Sequence, residues 1–73
     1  MRQLEPEPLL LTRQEIMILR ALADGAKSEE IAAQVQRSRP TVEASVRLLL
    51  AKFNAKSRAN LVARAIVLGA LAE

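Results

Sequence analysis

The hydrophobic residues of the chain fall into four segments with helical spacing, separated by turn-forming residues. In the first segment, Thr12 and Glu15 form a T-x-x-E capping box, which marks a helix start because it satisfies two otherwise unpaired backbone amides. Gly25 can adopt the left-handed conformation that ends a helix. The apolar positions between these two signals are Ile16, Leu19 and Ala23.

A second, shorter helix is predicted from about Ser28. Glu29 and Glu30 lie in its first turn, where the helix dipole favours anions. The chain must then turn between Gln36 and Ser38. The buried face of this helix would consist of Ile31, Ala32 and Val35.

A third helix of about four turns is predicted over residues 39–53. Ser38 is its candidate N-cap, Pro40 lies in its first turn, where a missing amide costs little, and Asn54 is a common left-handed C-cap. One narrow core stripe consists of Val42, Val46, Leu49 and Phe53. The opposite, outward face holds Pro40, Ala44, Arg47, Leu48 and Ala51.

The fourth segment, about residues 58–68 after a Ser57 cap, is apolar nearly all round and therefore needs two partners. Its two stripes are Leu61, Ala65 and Leu68, and Val62, Ile66 and Gly69. One stripe can pack on the core, and the other is either a broader core contact or a dimer interface, which exposed apolar patches commonly mark. The candidate dimer residues are Leu61, Val62, Ala65, Ile66 and Gly69.

Together these segments predict an all-α, four-helix domain over residues 11–73. An extended N-terminal arm is predicted over residues 1–10, because Pro6 and Pro8 oppose helix formation. The composition agrees with helices, since 51% of the residues are hydrophobic and Phe53 is the one aromatic residue. A core of Leu, Ile, Val and Ala favours closely packed helices over strands.

Positive charge is concentrated in the middle of the chain. Residues 36–58 contain six basic residues against Glu43 alone, a balance of +5, whereas residues 1–35 contain four basic and six acidic residues. Such a block is either a phosphate-binding surface or a solvated helix face.

The composition offers no basis for catalysis or for a cofactor. The chain has no Cys and no His, so it lacks thiolates, the commonest general base and the commonest metal ligand. We therefore expect neither an enzyme nor a metal or cofactor site. No apolar run approaches membrane-spanning length, so we expect a cytoplasmic protein without a membrane partner.

The ungapped pattern resembles the LuxR/GerE-type helix-turn-helix domain. The matching residues are Leu11, Thr12, Glu15, Leu19, Gly25, Glu30, Ile31, Ala32, Ser38, Thr41, Val42, Lys52, Arg58 and Ala65. The length and layout look most like the stand-alone GerE type. The resemblance implies a bacterial regulator associated with the nucleoid when bound, whose third helix enters the major groove of double-stranded DNA and whose fourth helix pairs two subunits.

The sequence departs from the family pattern mainly at outward positions. Glu43 replaces a usual lysine, Ser45 a usual histidine and Leu48 a common asparagine. Arg37 precedes the capping serine where the family has an apolar residue, and Lys27 stands at the usual cap of the second helix. Ser28 is therefore expected to cap this helix one residue later.

The candidate base contacts are Ala44, Arg47 and Leu48 on the outward face of the third helix, with Glu43 on one flank and Thr41 on the other. Arg47 can bond guanine bidentately, and the small residues can contact thymine methyl groups. Glu43 can accept from cytosine, pair with an arginine four residues away (Arg39 or Arg47), or repel phosphate. Leu48 can contact a thymine methyl group or another protein.

The candidate phosphate contacts surround this helix: Lys27, Ser28, Arg37, Arg39, Lys52, Lys56 and Arg58. The leading hypothesis is a homodimeric, sequence-specific DNA-binding transcriptional regulator. The alternative is a protein-interaction module of the same fold that binds DNA weakly and pairs with another transcription regulator through its fourth helix.

Overall fold

A computed structural model describes residues 11–71. Its helices are α1 (Arg13–Ala23), α2 (Ser28–Val35), α3 (Arg39–Lys52) and α4 (Arg58–Val67), and this part of the chain contains no strand. The predicted all-α, four-helix fold is confirmed. The predicted N-terminal arm, residues 1–10, lies outside the described residues.

Three of the four helix starts use the caps that the sequence predicts. Thr12 and Glu15 form a reciprocal capping box, with N···O distances of 2.9 and 3.0 Å. Ser38 and Ser57 each accept a hydrogen bond from the amide three residues later. The predicted cap of α2 is wrong, because Lys27 is its N-cap and Ser28 is its first helical residue. The Lys27 amide donates to Glu30 Oε1 at 2.7 Å instead.

Each helix ends in the same way, at a left-handed residue followed by an amide that donates to the carbonyl five residues earlier. Gly25 and Asn54 have positive φ as predicted, and Gln36 and Gly69 also do. The amide donors and their carbonyl acceptors are Ala26 to Ala21, Arg37 to Ala32, Ala55 to Leu50 and Ala70 to Ala65. Four compact stops of this kind keep the connections short.

The core draws buried hydrophobic residues from all four helices. The α3 stripe of Val42, Val46, Leu49 and Phe53 is buried as predicted. On α1 the stripe is rotated from the predicted one. Ile18, Leu19 and Ala21 are buried, whereas Ile16 is half-buried and Ala23 is exposed. On α2, Ile31 is buried, and half-buried Ala32 and Val35 pack against the core.

The two stripes predicted for α4 differ in their surroundings. Leu61 and Ala65 are fully buried, because α4 packs against α1 and α3. They are therefore corrected from candidate dimer residues to core residues. Leu68 does not share their burial, since α4 ends at Val67 and Leu68 is its C-cap, 58% exposed.

Candidate nucleic-acid interface

The helix-turn-helix unit consists of α2, the turn at residues 36–38 and α3. Gln36 adopts φ 59° at the turn, and Ser38 then caps α3. Ile31 of α2 and Val42 of α3 are both buried in the same core cluster. The inner face of α3 is thereby fixed on the domain, and its outer face is left to solvent.

Two parallel rows of side chains form this outer face, each with residues four positions apart on neighbouring turns. The charged row is Arg39, Glu43 and Arg47. The apolar row is Pro40, Ala44 and Leu48, and Lys52 follows at its end. Arg47 is exposed and Leu48 is 61% exposed, while Ala44 and Glu43 are half-buried.

Arg39, the first residue of the charged row, lies between two carboxylates, one on α3 and one on α2. Its Nε is 3.1 Å from Glu43 Oε2, and its Nη1 is 4.0 Å from Glu29 Oε2. The sequence left three roles open for Glu43, and the structure shows one of them, the ion pair with Arg39. Both side chains are at least one-third exposed, so the pair contributes little stability. Its main effect is to neutralise charge, which leaves Arg47 as the one cation of this row without an ion pair to residues 11–71.

Thr41 belongs to the capping network at the start of α3. Its amide donates to Ser38 Oγ at 3.3 Å, and Ser38 Oγ donates to Thr41 Oγ1 at 2.9 Å. Thr41 is nevertheless exposed, beside the apolar row. It can therefore support the N-terminal end of the outer face and still offer its methyl group or hydroxyl proton to a ligand.

Lys52 joins α3 to α1 through an ion pair that the sequence analysis missed. Its Nζ lies 2.8 and 3.0 Å from the two carboxylate oxygens of Glu15. Burial alone would raise the pKa of Glu15. The hydrogen bonds from Lys52 and Thr12 and the charge of Lys52 outweigh burial, so this pKa lies below its ordinary value. Lys52 thus links α3 to α1, and Glu15 compensates its charge.

Ser28 and Arg58 connect α2 to α4. Ser28 is 7% exposed, and its hydroxyl accepts a hydrogen bond from Arg58 Nη2 at 2.9 Å. The Ser28 hydroxyl is therefore engaged within the protein, and a phosphate contact at Ser28 stays a prediction that concerns the backbone amides there. Arg58 itself is exposed, as are the other predicted phosphate-binding cations Lys27, Arg37 and Lys56.

Three consecutive exposed apolar residues near the end of α4, Ile66, Val67 and Leu68, are here called the α4 patch. These side chains are 60%, 82% and 58% exposed. Of the predicted dimer residues, Ile66 and Gly69 are exposed and Val62 is half-buried. Val67 was missed, because helical spacing alone assigned it to neither stripe. Val67 and Leu68 also line a shallow groove of about 180 Å³.

The described part of the chain contains neither a candidate metal site nor a candidate membrane-spanning helix. Residues 11–71 contain no group of three or more acidic side chains placed to hold a metal ion. In the same range, no helix has the length and apolar character needed to cross a membrane.

Comparison with known proteins identifies the family. The family model described as "Bacterial regulatory proteins, luxR family" (GerE) matches residues 9–65, which include all of α1, α2 and α3 and most of α4. No curated protein matches the chain. The family match and the four-helix fold agree. The chain therefore belongs to the GerE family of LuxR-type bacterial regulatory proteins, a family of helix-turn-helix DNA-binding regulators.

Proposed function

We propose that this protein is a transcription regulator that binds double-stranded DNA as a homodimer, with α3 in the major groove and α4 joining the subunits. The outer face of α3 carries the DNA-binding part of the proposal. Arg47 is exposed there without an ion pair to residues 11–71, on a helix whose opposite face is buried. The major groove, about 12 Å wide, admits a helix presented in this way.

Arg47 is the proposed base-reading residue. A guanidinium binds guanine O6 and N7 through two parallel hydrogen bonds. Ala44 and Thr41 are small enough for the helix backbone to lie close to the base edges. Arg39 Nε donates to Glu43 Oε2, so Glu43 can accept a hydrogen bond from cytosine N4 through its other oxygen, Oε1. The base contacts proposed here are Thr41, Glu43, Ala44, Arg47 and Leu48.

Exposed cations around α3 are the proposed phosphate contacts. They are Lys27 at the start of α2, Arg37 in the turn, and Lys56 and Arg58 at the start of α4. Arg39 and Lys52 contribute less, because each already faces a carboxylate. Phosphate contacts fix the position of the protein on the duplex and make its affinity depend on salt.

The α4 patch is the proposed dimer interface, with Gly69 and the half-buried Val62 at its edges. Its three large apolar side chains are each more than half exposed, and exposed apolar side chains commonly mark a protein contact. Leu61 and Ala65 lie beneath this surface and support it. Regulators with a helix-turn-helix commonly use two subunits on one DNA site.

The proposed action needs no catalytic step and no cofactor. The charge and shape of the α3 surface are enough to bind DNA and to control access of other proteins to it. Binding to the bacterial chromosome would place the protein in the cytoplasm at the nucleoid.

Binding of the Arg47→Ala variant tests this function. A preferred duplex is first selected from random sequences with the unaltered protein, and affinities are then measured by fluorescence anisotropy. Arg47→Ala should weaken binding to the preferred duplex by roughly 10- to 100-fold and reduce the preference for guanine. Arg20→Ala is the control: it removes the same charge from an exposed position on α1 and should leave the preference for guanine unchanged. Absence of binding to every duplex at low salt would refute the proposal.

A protein-interaction module is the second candidate function. The α4 patch and the neutralised Arg39–Glu43 pair favour it, because the first suits a protein partner and the second reduces attraction to phosphate. A complex with another regulator that Val67→Glu disrupts, in a protein that shifts no DNA alone, would support this candidate. Self-association together with unaided DNA binding would exclude it.

A further inference from the structure

We infer that the apolar row of α3 contacts the 5-methyl group of thymine, so that the preferred site contains a thymine beside the guanine bound by Arg47. The inference rests on the proposed function and assigns a base to one of its proposed contacts, Leu48. Its side chain is 61% exposed at the middle of the outer face, next in sequence to Arg47.

The chemistry of the major groove identifies the ligand. The edges of unmodified bases present hydrogen-bonding groups there, and the 5-methyl group of thymine is the apolar exception. A leucine placed against a purely polar edge displaces water without replacing its hydrogen bonds, which costs free energy. Against a methyl group, the same side chain removes apolar surface from water on both partners. Leu48 therefore favours thymine.

The neighbours of Leu48 fit this ligand better than a protein partner. Ala44 is small and half-buried, and Pro40 completes the row, so Leu48 is the one large apolar side chain in it. A single leucine between a charged row and the Lys52 end is too little apolar surface for a protein interface. It is enough to cover one or two methyl groups. The cations around the row match the charge of DNA.

The helix geometry places the thymine close to the guanine. Consecutive helix residues differ by 1.5 Å along the axis and by about 100° around it, so Arg47 and Leu48 diverge from neighbouring points. Base pairs are stacked about 3.4 Å apart. Side chains that start from neighbouring points can reach neighbouring base pairs, with hydrogen bonding at one and methyl contact at the other.

The experiment compares thymine with deoxyuridine, which lacks only the methyl group. Each thymine of the selected duplex is replaced in turn, and affinity is measured by fluorescence anisotropy. With the unaltered protein, replacement at one or two positions near the Arg47-dependent guanine should weaken binding about three- to tenfold. Leu48→Ala should bind the thymine and deoxyuridine duplexes with equal affinity.

Met17→Ala is the matched control, since Met17 is an exposed apolar residue on a different helix, α1, and is 40% exposed. This variant should keep the full preference for thymine. Equal binding of thymine and deoxyuridine at every position, with the Arg47 effect intact, would overturn the inference and leave the proposed function standing. A thymine preference that persists in Leu48→Ala at those same positions would also overturn it. Failure of the unaltered protein to select any duplex would remove both proposals.

Discussion

Two leucines are exposed to nearly the same degree, yet their surroundings differ. Leu48 on α3 is 61% exposed and Leu68 at the end of α4 is 58% exposed. Leu48 adjoins a charged row and a half-buried alanine, whereas Leu68 follows two further exposed apolar residues, Ile66 and Val67. Exposure alone therefore does not identify a partner. The neighbours favour a polar, negatively charged ligand at α3 and an apolar protein surface at α4.

The largest expected effect separates the two sides of α4. Leu61→Ala should lower the free energy of unfolding by about 2–5 kcal/mol, because it leaves a cavity in the core. Ile66→Ala should change the stability of the monomer by less than about 0.5 kcal/mol, since this side chain is 60% exposed. Urea unfolding at several protein concentrations measures both and separates dimerisation from folding. Equal losses in the two variants would contradict the assignment of inner and outer faces.

A charge placed on either exposed surface should disrupt the contact made by that surface, and a charge on α3 should spare the dimer. Val67→Glu should raise the dimer dissociation constant about 30-fold or more, because a desolvated carboxylate without a partner is costly at an apolar interface. Leu48→Glu should leave the dimer unchanged and weaken DNA binding. Analytical ultracentrifugation and anisotropy measure the two effects. Loss of dimerisation in Leu48→Glu would contradict the separation of the two surfaces.

Release of Arg39 should have a smaller effect, confined to the α3 surface. Glu43→Ala removes the carboxylate 3.1 Å from Arg39 and so frees a cation for phosphate. We expect non-specific DNA binding to rise several-fold and the slope of log affinity against log salt to steepen by about one. Glu29→Ala is the matched control, because Glu29 lies farther from Arg39, at 4.0 Å, and should have a weaker effect. An unchanged salt slope in Glu43→Ala would show that the pair does not limit phosphate binding.

The smallest expected effect is on stability at low pH, and it comes from the ion pair between Lys52 of α3 and Glu15 of α1. Since the pKa of Glu15 is lower in the folded protein, its contribution is present above the unfolded pKa, near 4.5, and is lost as the pH falls through the folded value. The unaltered protein should thus lose more stability than Glu15→Gln below about pH 4.5. Thermal unfolding between pH 7 and pH 3 measures the difference. Parallel curves for the two proteins would contradict a stabilising Glu15–Lys52 pair.

Local signals predicted much of the fold. The caps at Thr12, Ser38 and Ser57 depend on residues three positions apart, and the α3 stripe depends on helical spacing, so both are visible in sequence. For α4, the sequence did not decide which of the two apolar stripes is buried. Spacing finds two apolar sides, but the packing of α1 and α3 decides which one is buried.

The contacts that define the candidate site are mainly not local. Lys52 pairs with Glu15, 37 residues away, and Arg58 with Ser28, 30 residues away. Nothing in the spacing of charges indicates such pairs before the helices are arranged. Even the ion-pair partner of Glu43 was ambiguous in the sequence, because Arg39 and Arg47 are both four residues away from it.

The junction between α3 and α4 has a consequence for the arrangement of the DNA target. The Ala55 amide closes the end of α3 by donating to the carbonyl of Leu50 at 2.8 Å. Arg64 Nε of α4 donates to the carbonyl of Phe53, the C-cap of α3, and so joins α4 to this end. In the proposed dimer, pairing of α4 therefore sets the separation of the two α3 helices. One added base pair between half-sites would rotate one of them by about 34–36° relative to the other. With this junction fixed, the dimer should bind both half-sites only at a single spacing. At any other spacing, it should bind one half-site at a time.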